Sequence, residues 1–169
     1  HRLVEADPLP LWLHPLRERA ALVAGIDPDQ LVHALLIRYD PGVGIGWHKD
    51  RPAFDLVVGV SLGSPAELAF RRRRPDGRFD RRRLPLSPRG AYLLSGEARQ
   101  VWEHGIVAHA ERRYSITFRS LARDFVPIGN LPLEPRLFRK RLKWPTLGIL
   151  LMLENIRAFF AGDYAPHGY

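Results

Sequence analysis

Apolar positions in this chain recur mostly with a period of two, in short stretches closed by Gly, Pro or charged clusters. Side chains on a strand alternate between two faces, so such stretches predict strands. They fall at residues 31–39, 54–62, 67–72, 79–84, 91–94, 104–107 and 114–121. One stretch breaks the rule. Leu16, Ala20, Leu22 and Val23 follow helical spacing, which predicts a helix over 15–24 that Gly25 is placed to end. A run of short strands behind one helix predicts a mainly β domain built as a sandwich or jelly roll.

Composition narrows this reading only a little. At 169 residues the chain fits one domain with a sizeable core, and its 15 Pro and 14 Gly predict many turns. It has no Cys, which excludes disulfides and thiolate metal sites and leaves metal ligation to His and carboxylates. The net charge of +8 comes almost entirely from Arg. Its densest block runs from Arg71 to Arg83 around Pro75-Asp76-Gly77, a turn signal, and so predicts a basic hairpin. Such a finger suits a phosphate backbone, and equally suits a solvated loop whose charges serve solubility.

Chemistry gathers elsewhere. If 47–50 lies on a strand, His48 and Asp50 project from one face and Trp47 and Lys49 from the other. Two imidazoles and one carboxylate, with His104 arriving from a distant strand, form the set that holds non-haem Fe(II) while leaving positions open. In Arg113-Tyr-Ser-Ile-Thr-Phe-Arg119 the same alternation puts Arg113, Ser115, Thr117 and Arg119 on one side. Two guanidinium forks suit a ligand with two carboxylates. They stand six residues apart, roughly 20 Å on an ideal strand, so both must lean inward to hold one small molecule.

Five motifs in order carry a resemblance from Leu35 to Leu121. They are Arg38-Tyr39 through Gly46-Trp47-His48-Lys49-Asp50, Val60-Ser-Leu-Gly63, Gly96-Glu-Ala-Arg99, His104-Gly105 and Arg113-x-Ser-x-Thr-x-Arg119. In these the chain resembles the AlkB-like 2-oxoglutarate- and iron(II)-dependent dioxygenases. The resemblance implies a double-stranded β-helix, the jelly roll of that family, to which the apolar patterning adds an N-terminal helix and a C-terminal helical extension. It implies Fe(II) held by His48, Asp50 and His104, with 2-oxoglutarate as co-substrate and O2 as oxidant.

By the same resemblance Arg119 and Tyr39 clamp the distal carboxylate, Arg113 lies near the metal-chelating end and contacts Asp50, and Ser115 and Thr117 line the pocket. The implied reaction couples decarboxylation of 2-oxoglutarate to hydroxylation of a C–H bond. On an N-methyl group the product collapses to formaldehyde, which makes the enzyme an oxidative demethylase, with alkylated DNA or RNA the leading substrate. A nucleic acid is then the implied partner and the cytoplasm the implied compartment. Alternatives are the same chemistry on a protein side chain or small molecule, and a basic nucleic-acid-binding module without catalysis.

The chain departs from its family at several points. Ser115 and Ile37 stand where well-known relatives carry Asn, and Pro52 stands where base-repairing relatives carry a carboxylate. His109 competes with His104 as third ligand but lies outside the motif. His33 is expected to be a core or edge residue, while His1, His14 and His167 have no motif around them. Trp47 and Trp102 are expected to pack rather than to stack on substrate.

The nucleotide-recognition lid of known relatives would precede the helix, yet His1 lies only a short way upstream of it. Either the chain is a fragment or substrate is gripped by other means. We expect a dioxygenase domain over 1–126. A Pro-rich linker and a basic, then apolar, extension follow over 127–169, with an amphipathic helix at 147–160 that packs on the domain, docks a protein partner or lies on a membrane surface without spanning it.

Overall fold

A computed structural model describes residues 8–123. A helix α1 (His14–Ala24) is followed by eight strands: β1 (Leu31–Tyr39), β2 (Ile45–His48), β3 (Phe54–Gly63), β4 (Ala66–Arg73), β5 (Phe79–Leu86), β6 (Ala91–Leu94), β7 (Glu103–Ile106) and β8 (Arg113–Leu121). A second helix, α2 (Gly96–Gln100), lies between β6 and β7. The strands form two four-stranded antiparallel sheets, ordered β1-β8-β3-β6 and β2-β7-β4-β5. Consecutive strands often lie in different sheets, so the chain winds as a jelly roll. The mainly β expectation and the N-terminal helix hold. The extension over 127–169 and its partner-docking helix lie outside the described residues.

Two apolar layers explain the arrangement. Leu16, Ala20, Ala21 and Val23 of α1 pack on Val58, Val60, Leu93, Ile116 and Phe118, covering the outer face of the first sheet. Between the sheets, Tyr39, Val57, Leu68, Phe70, Leu94 and Ile106 form the second layer. The central strands β3 and β8 are therefore covered on both faces, and Phe118 alone, fully buried, contributes about 2–3 kcal/mol.

The predicted helix starts one residue earlier than expected and stops at Gly25, whose φ of 64° closes it in the left-handed region. Leu22 does not join its apolar stripe and is 77% exposed. The motif Gly96 to Arg99, which lies outside every predicted element, forms α2, which is too short for a periodic signal. The basic block is a hairpin, with Arg71 paired to Arg81 and Arg73 to Phe79.

Candidate metal and co-substrate site

His48 ends β2, an edge strand, and pairs across to His104 on β7. Gly105 makes this approach possible. A Cβ there would lie 2.7 Å from the Ile45 carbonyl oxygen, so any side chain would push β2 away and part the two histidines. Their ring centroids are 4.4 Å apart. His48 Nδ1 lies 2.9 Å from the Gly46 carbonyl oxygen, a bond that puts the proton on Nδ1 and leaves Nε2 as a bare donor atom.

Asp50 reaches the same place by another route than expected. β2 stops at His48, so Asp50 sits in the irregular segment beyond it and strand alternation does not deliver it. Instead Arg99 of α2, itself buried, donates to the carbonyls of Arg51 and Phe54 at 2.6 and 2.7 Å and fixes the segment's path. Asp50 Oδ2 then faces His104 Nε2 at 3.5 Å.

Burial first, and the neighbouring His48 second, hold the His104 pKa down to about 4, so the ring is neutral near pH 7. A cation between Nε2 and the Asp50 carboxylate would take the Nε2 lone pair and leave the ring proton on Nδ1. His104 Nδ1 is buried without a partner among the described residues. Two imidazole nitrogens and one carboxylate fit Fe(II) in donor type. The three meet only pairwise, and no closed cluster of three metal-binding side chains occurs among the described residues.

The two arginines of β8 occupy the same cavity, which Tyr39, His48, Asp50 and His104 also line. Their contacts are the reverse of those expected. Arg119 Nε and Nη2 hold Asp50 Oδ1 at 3.1 and 3.0 Å, and Asp50 makes no bond to Arg113. Arg113 lies over the Tyr39 ring at 4.6 Å and donates through Nη2 to Ser61 Oγ at 2.9 Å. The register explains the exchange: Arg113 pairs with Tyr39 across β1, whereas Arg119 lies opposite His33.

Arg113 is 1% exposed, and its Nε and Nη1 have no partner among the described residues. No carboxylate of the described residues neutralises it. Ser115 Oγ donates weakly to the Tyr39 hydroxyl at 3.5 Å, and Thr117 Oγ1 to the Leu35 carbonyl at 3.4 Å.

Three residues of this neighbourhood are given no role in the site by the sequence. Tyr92 lines the cavity in a space that exists because position 59 is Gly: a Cβ there would overlap the phenol ring. Burial, then Tyr39, raises the Tyr92 pKa, so its hydroxyl stays protonated and a donor. His33 Nδ1 lies 3.4 Å from Arg119 Nη1, its ring 5.2 Å from that of Phe54, and burial and then Arg119 lower its pKa. Arg99 belonged to a recognised motif, but its grip on the Asp50 segment depends on the unforeseen helix.

His109 lies beside the Tyr39 ring at 6.0 Å and is no neighbour of His48. Trp102 packs in the core as expected, but Trp47 is 39% exposed on the edge strand.

Comparison with known proteins agrees with this geometry. Residues 2–119 match the model of the 2OG-Fe(II) oxygenase superfamily. An uncharacterised protein of Acanthamoeba polyphaga mimivirus, L905, is 30% identical over 73% of this chain and 63% of its own. The alpha-ketoglutarate-dependent dioxygenase AlkB of Salmonella typhimurium is 33% identical over 68% of this chain and 56% of its own. The alkylated DNA repair protein ALKBH8 homolog of Arabidopsis thaliana is 31% identical over 67% and 42%. The chain thus spans between 42% and 63% of the length of these relatives. On the family match, with the jelly roll and the paired histidines beneath it, this chain belongs to the 2OG-Fe(II) oxygenase superfamily, whose cofactor set is Fe(II), 2-oxoglutarate and O2, and is AlkB-like within it.

Proposed function

We propose that the chain is a 2-oxoglutarate-dependent dioxygenase that oxidatively demethylates alkylated bases in DNA or RNA. The observation that carries the co-substrate assignment is Arg113, a sealed guanidinium with two unpaired nitrogens and no counter-charge among the described residues. A buried cation of this kind is costly unless paired, and a ligand carboxylate pairs it. Arg113 would hold the distal carboxylate through Nε and Nη1, with the Tyr39 ring beneath and the Tyr92 hydroxyl as a further donor. Ser115 and Thr117 would line the same wall.

His48, Asp50 and His104 would hold Fe(II), which with bound 2-oxoglutarate and O2 supplies the C–H oxidation. The protein's part is orientation. The Gly46 carbonyl fixes the His48 tautomer, burial keeps His104 neutral, and Arg119 holds the Asp50 carboxylate aimed at the His104 side.

The nucleic-acid substrate is supported by the name of the Arabidopsis relative, an alkylated DNA repair protein homolog, and by the Arg-rich hairpin. A cytoplasmic site of action belongs to the same proposal; no helix of the described residues is long and apolar enough to cross a membrane. Two measurements test the reading. Isothermal titration of the metal-loaded protein should show 2-oxoglutarate binding that Arg113→Gln weakens at least about a hundredfold, since a buried charge pair is lost. Methylated single-stranded oligonucleotides should yield formaldehyde and succinate in equal amounts while methylated peptides yield neither. Formaldehyde from the peptides alone would move the substrate class to proteins.

A further inference from the structure

The sheet that carries His48 and His104 has a second face. Register puts Trp47 of β2, Glu103 of β7, Ala69 and Arg71 of β4 and Arg81 of β5 on the side away from the cavity. There the Arg71 guanidinium lies 4.8 Å from the Trp47 ring centre and 4.8 Å from that of Phe79, and its Nε bonds Glu103 at 2.6 Å. A ladder of aromatic, cation and aromatic results. Beside it runs a groove of about 280 Å³ lined by Trp47, Ala69, Val107 and the arginines 81–83. Trp47 and Val107 are 39% and 44% exposed there. Arg73, Arg81 and Arg82 have no carboxylate partner among the described residues, whereas Arg83 is bound to Glu67.

We propose that this outer face is a docking track for single-stranded nucleic acid, in which Trp47 stacks a base and Arg81 meets the neighbouring phosphate. Charge alone would admit any polyanion. The open apolar groove between an indole and guanidinium groups adds recognition of a flat ring, and alternating planes and anions are the pattern of a single strand. In a duplex the base faces are already stacked, so the groove favours the unpaired form. β2 is an edge strand, and Trp47 and His48 are consecutive residues on its two faces. A strand seated on Trp47 therefore needs only to round that edge to bring a following base to the cavity. The inference rests on the proposed nucleic-acid substrate and gives it a route.

Fluorescence anisotropy with a labelled 12-nucleotide oligo-dT tests it. Trp47→Ala should weaken binding about tenfold, and Trp47→Phe should keep most of it. Arg81→Ser should lower the slope of log affinity against log salt by about 0.7, one contact on a single strand. An abasic oligonucleotide should bind more weakly and lose its dependence on residue 47. Thermal melts and succinate release without nucleic acid should match wild type in every variant, which separates lost docking from lost folding. Affinity for oligo-dT unchanged in Trp47→Ala would overturn the track, as would poly-glutamate binding as tightly with the same dependence on Trp47. If wild type releases no succinate but the groove variants behave as stated, the oxygenase reading falls and the track stands. Formaldehyde release with binding indifferent to residues 47 and 81 would have the opposite meaning.

Discussion

The two sheets hold their halves of the site in unlike ways. Arg113 and Arg119 stand on β8, a central strand bonded on both sides to β1 and β3 and covered on both faces. His48 and Asp50 stand on and just past β2, a four-residue edge strand with a register shift before His48. The co-substrate wall is thus part of the core, while the metal wall hangs at its margin. Substitutions on the first should trade stability against binding, and those on the second should cost chemistry alone.

The hardest strain on that contrast is His48→Ala. Iron-dependent succinate release should fall below detection while the melting temperature stays within about 2 °C, since exposed edge substitutions usually change stability by under about 0.5 kcal/mol. A collapsed melt would show that β2 is structural after all. Arg119→Ala crosses the divide, because it strips Asp50 of its partner in a nearly buried pair. It should cost about 3 kcal/mol in urea unfolding and weaken Fe(II) binding as well, where an effect on 2-oxoglutarate alone would return Arg119 to the distal clamp.

Tyr92→Phe removes one donor from the rigid wall and should raise the 2-oxoglutarate KM about fivefold, with an unchanged melt, as befits one hydrogen bond of about 1 kcal/mol. The smallest effect belongs to His33. Its folded pKa lies below the ordinary histidine value, so the unfolded chain takes up the proton more readily. The associated stability is intact above the unfolded pKa of about 6.5 and is lost as pH falls below it. His33→Gln should flatten that acid slope in melts of the metal-free protein.

Much of this contrast is written in the residues. Strands 31–39 and 91–94 end where their alternation and turn residues say, and residues 113, 115, 117 and 119 share a face because β8 is regular. The misses have physical reasons. Strand logic carried to Asp50 fails because β2 stops two residues short. Which arginine serves which end depends on cross-strand register, and a single strand's sequence does not contain its neighbour's offset. The Gly59 and Tyr92 fit lies between two strands and leaves no periodic trace in either. Trp47 was assigned to packing on frequency alone, and its openness follows from β2 being an edge, a property of sheet order.

Arg113 has one consequence beyond catalysis. A domain that seals in a lone cation is incomplete until a small anion arrives, and whatever binds only the folded form holds that form together in proportion to its concentration. On the proposed co-substrate assignment, persistence of the fold is linked to supply of the keto-acid. Scarcity would thin the population of intact molecules as well as idle them, and spent succinate, which also ends in a carboxylate, would serve as a partial substitute.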